Sequence, residues 1–247
     1  MSLAVSVILP VMNETWSLEK TVEILLRDNR GHLEELLIVT SPRTIEASRQ
    51  TIARLATAHP ELVRVHQQTL PFLGGALQEA FALARGRTTL LMASDLETDP
   101  SVVPAMIATM QRDGCDIVIA SRWLRHQSFQ GYSRPKFVCN WLFQKFFGTL
   151  YGVRLSDLTY GFRLYRTERL RGIRWEELKH SFLFECLVKP LRLGCRVAEV
   201  PAVWEPRREG ASQNMLSSYA GYFRTGLRVR ATRIDAWRTD SRPSSPR

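Results

Sequence analysis

The chain has 247 residues, 45% of them hydrophobic and 23% charged, which is enough for a full core and excludes a disordered chain. No run of about 18 apolar residues occurs, and the first apolar run is broken by Pro10 with no basic segment before it, so neither a spanning helix nor a signal peptide is expected. The net charge of +10 is uneven: residues 1–120 hold 10 basic and 14 acidic residues, 121–174 hold 11 and 2, 175–216 hold 6 and 6, and 217–247 hold seven arginines and two aspartates.

In chain order, residues 4–9 read as a β-rich strand, and residues 18–27 as a helix with Ser17 as its N-cap. Residues 36–40 are a second strand, 45–58 a helix, 63–66 a third strand, and Gly74-Gly75 opens a helix through residue 84. A fourth strand (89–92), a helix (102–110) and a fifth strand (117–120) complete an alternation that predicts a mainly parallel sheet with helices on both faces. After residue 121 the pattern changes. Residues 127–135 read as a long loop, 137–151 as an aromatic-rich helix, 183–193 as a helix despite Pro190, and 196–203 as a strand. Residues 217–233 take near-helical spacing, and the Ser/Pro/Arg-rich end from residue 237 reads as disordered. Four cysteines without metal-like spacing read as free thiols in a reducing compartment.

The most informative stretch is Leu90-Leu-Met-Ala-Ser-Asp-Leu-Glu-Thr-Asp-Pro100, an apolar run ending in three acids. Open α/β sheets bind ligands at the C-terminal ends of their strands, and hard oxygen ligands there suit Mg²⁺ or Mn²⁺. In an extended segment Asp95, Glu97 and Asp99 point to one side. Taken alone, the acids fit a solvated loop with Asp99 or Ser101 as a helix N-cap better than a metal site.

Five further constellations fall at predicted strand or helix ends. Pro10 halts the first strand, and Asn13 and Glu14 follow in a turn able to touch a nucleotide. Gly74 and Gly75 allow a phosphate or sugar close to helix N-terminal amides, although Gly-Gly is also plain turn chemistry. Ser121-Arg122 follows the fifth strand, and Asp157 precedes Gly161-Phe162-Arg163. Arg207, Arg208 and Ser212 lie in a basic turn after the last strand, where arginines suit bidentate phosphate contacts.

The order Leu9-Pro10-x-x-Asn13-Glu14, Leu73-Gly74-Gly75-Ala76-Leu77, Asp95-Leu96-Glu97, Ser121-Arg122, Asp157 with Gly161-Phe162-Arg163, Glu199-Val200-Pro201, and Arg207-x-x-Gly210-x-Ser212 resembles glycosyltransferase family 2 over residues 4–215, and within it the dolichyl- or polyprenyl-phosphate sugar transferases. The resemblance implies an α/β, Rossmann-like GT-A fold, with residues 1–120 as the nucleotide-sugar half, 121–216 as the acceptor half of the same domain, and 217–247 as a basic C-terminal helix and tail. It implies a nucleotide-sugar donor, Mg²⁺ or Mn²⁺, inverting transfer to a polyprenyl phosphate, and a cytoplasmic enzyme peripheral on the inner membrane face. The residues it designates are Pro10, Asn13, Glu14, Thr40, Gly74, Gly75 and Asp95 for the donor, and Asp95 and Glu97 for the metal. For the acceptor phosphate they are Arg122, Arg134, Lys136, Asn140, Arg207 and Ser212, with Asp95, Arg122 and Arg207 catalytic.

Two departures stand out. The family's metal motif, Asp-x-Asp-Leu-Gln, has Ala93 at its first acid and Glu97 at its amide. The acid usual after the second strand is absent from Val39-Thr40-Ser41-Pro42-Arg43, so base recognition differs. A family-2 enzyme acting on a saccharide hydroxyl would need a base, for which Asp157 and Glu185 are the candidates. A nucleotidyltransferase would need a Gly-rich basic loop after the first strand, which Val11-Met12-Asn13-Glu14 lacks. A non-catalytic nucleotide-sugar-binding subunit is the third alternative. The basic second half suits a lipid phosphate, an anionic membrane surface or a membrane partner better than nucleic acid, and residues 217–233, which contain no acid, fit a helix on an anionic membrane face or against a membrane partner about as well as a solvated or core-packed terminal helix.

Overall fold

The computed structural model describes residues 3–97, 99–125, 128–129, 133–206, 209 and 218–238. The first half runs β1 (Val5–Val11), α1 (Trp16–Asn29), β2 (Leu33–Thr40), α2 (Glu46–Ala58), β3 (Val63–Gln67), α3 (Phe72–Leu83), β4 (Thr88–Leu91), α4 (Val103–Asp113) and β5 (Ile117–Ser121). The second half adds α5 (Arg134–Tyr151), β6 (Arg163–Arg166), α6 (Phe182–Arg192), β7 (Val197–Pro201) and α7 (Ser218–Ala231).

Seven strands form one sheet in the order β3-β2-β1-β4-β6-β5-β7. Neighbours are parallel except around β6, which runs antiparallel to both β4 and β5. Alternation along the strands divides the core in two. Val5, Val7, Leu9 and Val11 of β1 meet α1, α2 and α4 on one face, while Ile8 meets the cluster of α3, α5, α6 and α7 on the other.

Pro10 does not end β1. The strand runs on to Val11, with Pro10 in register with Val39 of β2. The Ile8 carbonyl accepts from Met92 N on the β4 side, and two residues on the missing N–H of Pro10 falls on that same side, beyond the end of the β4 ladder. No sheet bond is lost there.

β6 is the element that sequence reasoning missed. Its four residues, Arg-Leu-Tyr-Arg, are too few and too charged to read as a buried strand. Arg163 at its start lies in register with Leu91 of β4 and Ile119 of β5, so the segment leading into it crosses the C-terminal ends of both strands. That crossing carries Asp157, Thr159 and Tyr160 over the sheet edge where the acids emerge.

Candidate functional site

The acids are gathered by a turn, not by an extended segment. β4 ends at Leu91, and Leu96 adopts a left-handed φ of 59°, which reverses the chain between Asp95 and Glu97. Asp95 Oδ1 accepts from Glu97 N at 3.1 Å, and Asp95 is buried. The Glu97 carbonyl accepts from Glu205 N at 2.9 Å, and its carboxylate faces Trp204 Nε1 at 3.4 Å, so the segment after β7 braces the turn. A left-handed non-glycine residue is strained, and its occurrence at the acid turn marks a position where geometry outweighs local comfort. Asp99 turns away to cap the next 3-10 turn, accepting from Ser101 N at 2.8 Å and Ser101 Oγ at 2.5 Å.

Two carboxylates fit Mg²⁺ or Mn²⁺ carrying a diphosphate, because such an ion keeps several waters and needs one or two protein carboxylates beside the phosphates. Among the described residues no group of three or more His, Cys, Asp or Glu forms a self-sufficient metal cage. Asp95 and Glu97 therefore match a shared metal–nucleotide site in donor type and number.

Arg122 is held differently from expectation. Its guanidinium donates Nε to Asp157 Oδ2 at 2.7 Å and Nη2 to Asp157 Oδ1 at 2.9 Å, and both side chains are buried. The Arg122 backbone N–H also points at Asp157 Oδ2, at 3.3 Å. Tyr160 lies under the guanidinium, 4.3 Å from its ring centre. A guanidinium engaged by a bidentate carboxylate bolts β5 to the crossing segment. Glu199 of β7 secures the same segment, accepting from Ser156 N at 2.9 Å and Asp157 N at 3.1 Å. Burial pushes the Tyr160 phenol well above its ordinary value, and Glu97, Asp95 and Asp157 add to the rise against the pull of Arg122. Tyr160 thus packs on the Arg122–Asp157 pair, a contact with no signal in the sequence.

On the donor side, Pro10, Asn13 and Thr40 stand at the exits of β1 and β2, while Glu14 folds back to accept from Met12 N at 2.8 Å and Asn13 N at 3.0 Å. The Thr40 hydroxyl donates to the His66 carbonyl at 3.3 Å, and the loop after it is pinned to β1 by Thr44 Oγ1 donating to the Val11 carbonyl at 2.9 Å. Gly74 and Gly75 do not face this cleft with free amides. Both N–H groups donate to the Leu178 carbonyl, at 2.7 and 3.3 Å. A Cβ on Gly74 would lie 2.5 Å from the Glu177 carbonyl oxygen, so the glycine serves close backbone packing.

On the acceptor side, Arg134 and Lys136 are exposed on the first turn of α5. Asn140 is buried one turn on, its Oδ1 accepting from Gln144 Nε2 at 2.8 Å. Gln144 Nε2 also approaches Thr159 Oγ1 at 3.1 Å, and Arg122 Nη2 approaches the same oxygen at 3.4 Å. This chain ties the start of α5 to the Arg122–Asp157 bolt. Arg207 and Ser212 lie outside the described residues. Glu209 between them is described, and it takes the place expected of Ser17. Helix α1 begins at Trp16, and the Glu209 carboxylate accepts from Thr15 N and Ser17 N, both at 3.0 Å, and from Ser17 Oγ at 2.6 Å. Burial raises its pKa, but the Ser17 and Thr15 hydrogen bonds outweigh that and leave it lowered. A carboxylate 192 residues away in sequence caps the helix and pins that position above the sheet edge.

The sequence profile of glycosyl transferase family 2 matches residues 6–174. Among curated relatives, glycosyltransferase AglD of Haloferax volcanii is 28% identical over 82% of this chain and 33% of its own length. An undecaprenyl-phosphate mannosyltransferase of Micrococcus luteus is 27% identical over 83% of this chain and 85% of its own. The chain thus spans a third of the first and most of the second. Glucosyl-3-phosphoglycerate synthase from Mycobacterium tuberculosis, crystallised with Mn²⁺, uridine diphosphate and phosphoglyceric acid, superposes with a TM-score of 0.70 at 18% identity, covering 93% of this chain and 79% of that one. This likeness establishes the shared α/β fold, and the family profile covers most of the chain, from β1 through β6. The chain belongs to glycosyl transferase family 2.

Proposed function

We propose that the protein transfers a sugar from a nucleotide sugar to a polyprenyl phosphate, with inversion and with Mg²⁺ or Mn²⁺, as a peripheral protein at the inner face of the membrane. The observation that carries this reading is the Asp95–Glu97 turn, set at the C-terminal end of β4. Asp95 and Glu97 would hold the ion. When bound, it neutralises negative charge building on the leaving nucleoside diphosphate.

The remaining tasks fall to the chain itself. The exits of β1 and β2, with Pro10, Asn13 and Thr40, receive the nucleoside. Arg134 and Lys136, with Arg207 and Ser212, which follow β7 in the sequence, meet the acceptor phosphate and orient it for attack. Arg122 acts through Asp157 by fixing the crossing segment. A phosphate acceptor is already anionic and needs no base. That matters because the two carboxylates with a claim to be a base are engaged elsewhere: Asp157 with Arg122, and Glu185 with Lys189 at 2.7 Å, with both members of the latter pair fully buried. A saccharide-hydroxyl acceptor loses its candidates, and the naming of the Micrococcus relative as an undecaprenyl-phosphate enzyme supports the same choice.

The test is turnover of a panel of nucleotide sugars with a polyprenyl phosphate across a Mn²⁺ titration. Asp95→Asn keeps shape and removes charge, so the folded variant should lose on the order of a hundredfold in rate. Glu97→Gln should lose less, since an amide oxygen still coordinates. Full activity in a folded Asp95→Asn protein, or wild-type turnover in excess chelator, rejects the assignment.

A further inference from the structure

We infer that Phe72 is the stacking platform for the nucleobase of the donor nucleotide. This deepens the nucleotide-sugar reading, on which it rests for the ligand. Phe72 opens α3 with a left-handed φ of 63°, a conformation that costs a bulky L-residue free energy. Burial returns little of that cost. At 55% exposed, Phe72 is the most exposed of the large apolar residues described. The turn that presents it is nonetheless pinned from three directions. Gln68 Nε2 donates to the Leu70 carbonyl at 2.6 Å and to the Phe72 carbonyl at 3.0 Å. Glu79 accepts from Thr69 N at 3.0 Å and from Leu70 N at 2.6 Å, and the Leu178 carbonyl accepts from Gly74 N and Gly75 N. The surrounding structure thus enforces a strained, exposed aromatic, which is the behaviour of a ligand contact rather than of a core residue.

Placement decides the ligand. β3 ends at Gln67, so the turn lies at the C-terminal edge of the sheet, where open α/β folds bind their ligands. Gln68 N donates to the Thr40 carbonyl at 2.8 Å, so the residue that holds Phe72 also holds the exit of β2. From β3 to β4 is three strand spacings, roughly 14 Å. A nucleoside diphosphate laid across this edge, with its diphosphate at the Asp95–Glu97 turn, brings its base to the β2 and β3 exits. Charge agrees. Lys179 is exposed, and its Nζ lies 5.4 Å from the Phe72 ring centre, so an ammonium steadies one ring face and adds positive charge near the path of a nucleotide anion. The opposite face takes the base. A base held by its face needs no carboxylate on its edge, which suits the acid-free segment Val39-Thr40-Ser41-Pro42-Arg43. The turn before α3 therefore serves the donor through the Phe72 ring, while the Gly74 and Gly75 amides serve the fold.

Isothermal titration of the full chain with UDP, GDP and CDP in the presence of Mn²⁺ tests the inference. Phe72→Ala should weaken each nucleoside diphosphate that the wild type binds by about tenfold or more, since every base has a π face. Inorganic pyrophosphate with Mn²⁺ has no base and should bind Phe72→Ala and the wild type alike. Phe72→Gly removes the ring and suits the left-handed φ, so it should lose the same affinity yet melt no lower than the wild type. Phe72→Trp keeps a ring. It should bind as the wild type does, and nucleotide should quench its fluorescence beyond the change seen in the wild type. Ala and Gly variants that bind nucleotides as the wild type does, an equal loss of pyrophosphate, or a Phe72→Gly protein that melts well below the wild type would overturn the inference. If the ring contributes to nucleotide binding but the wild type transfers no sugar to a polyprenyl phosphate, the acceptor reading fails and the stacking platform stands. A wild type that binds none of the three nucleotides overturns the platform and the donor reading together.

Discussion

Arg122 shows how a residue's surroundings decide its role. Its sequence context, a basic side chain at the C-terminal end of a strand, is the context of a phosphate ligand. Its partner Asp157 lies 35 residues away and takes two of its donors. Breaking a buried pair leaves the other charge uncompensated, at about 3–5 kcal/mol. Arg122→Ala should therefore cost stability of that order in urea denaturation, and Arg122→Lys should recover part of it, losing the bidentate geometry. An Arg122→Ala protein of wild-type stability would return Arg122 to substrate binding. The same reasoning explains which site residues were legible. Asp95 and Glu97, the proposed ion ligands, stood out because acids at the end of an apolar run are a local pattern. The packing of Gly74 and Gly75 was not legible, because their carbonyl partner, Leu178, is about a hundred residues downstream. The helix-capping contact of Glu209 and the stacking of Tyr160 on Arg122 had no local pattern, since each arises only from tertiary placement.

Elements were legible where period and length agreed. The β1 to β5 alternation with helices was readable because most of the strands carry a short, largely apolar run and the helices between them carry an apolar stripe. β6 was not, because its fully buried Arg163 finds its partners only through the fold: Nη2 donates to the Leu158 carbonyl at 2.8 Å and Nη1 to the Leu183 carbonyl, while Nε has no hydrogen-bond partner. The approach to α3 offers a test at this scale. Glu79 accepts from Thr69 N at 3.0 Å, Thr69 Oγ1 at 2.5 Å and Leu70 N at 2.6 Å, and its Oε2 meets His66 Nε2 at 2.6 Å. Burial alone would raise its pKa, but these donors outweigh it and lower the value from 4.5 to about 2. A carboxylate lowered in the folded state stabilises above its unfolded value, and that stability is lost as pH falls through the folded one. Glu79 should supply up to about 3 kcal/mol at neutral pH, fading between pH 4.5 and about 2. Glu79→Gln should lower neutral-pH stability and flatten the acid limb of the stability curve over that window. An unchanged acid limb would show that these contacts do not persist in solution.

At the scale of the whole molecule, the basic C-terminal segment is part of the core as well as a surface. α7 buries Tyr222, Thr225 and Val229, and Gly226 packs so closely that a Cβ there would meet the Phe147 and Phe184 rings. Arg228 Nη2 pairs with Glu177 at 2.7 Å, Arg192 Nη1 donates to the Thr232 carbonyl at 2.6 Å, and Arg174 N donates to the Trp237 carbonyl at 2.7 Å. Trp237 is itself buried. Burying a large apolar side chain contributes roughly 1.5–3 kcal/mol, so losing Tyr222, Val229 and Trp237 together approaches the whole net stability of an ordinary domain, about 5–15 kcal/mol. Truncation after residue 217 should thus lower the melting temperature sharply or prevent folding, and any loss of membrane binding in that variant would follow from unfolding. Truncation after residue 238 keeps every described contact and should melt as the full chain does. Thermal denaturation followed by circular dichroism separates the two. A chain ending at residue 217 that melts cooperatively at the wild-type temperature would show that α7 is an appendage, and would restore truncation as a clean test of membrane docking.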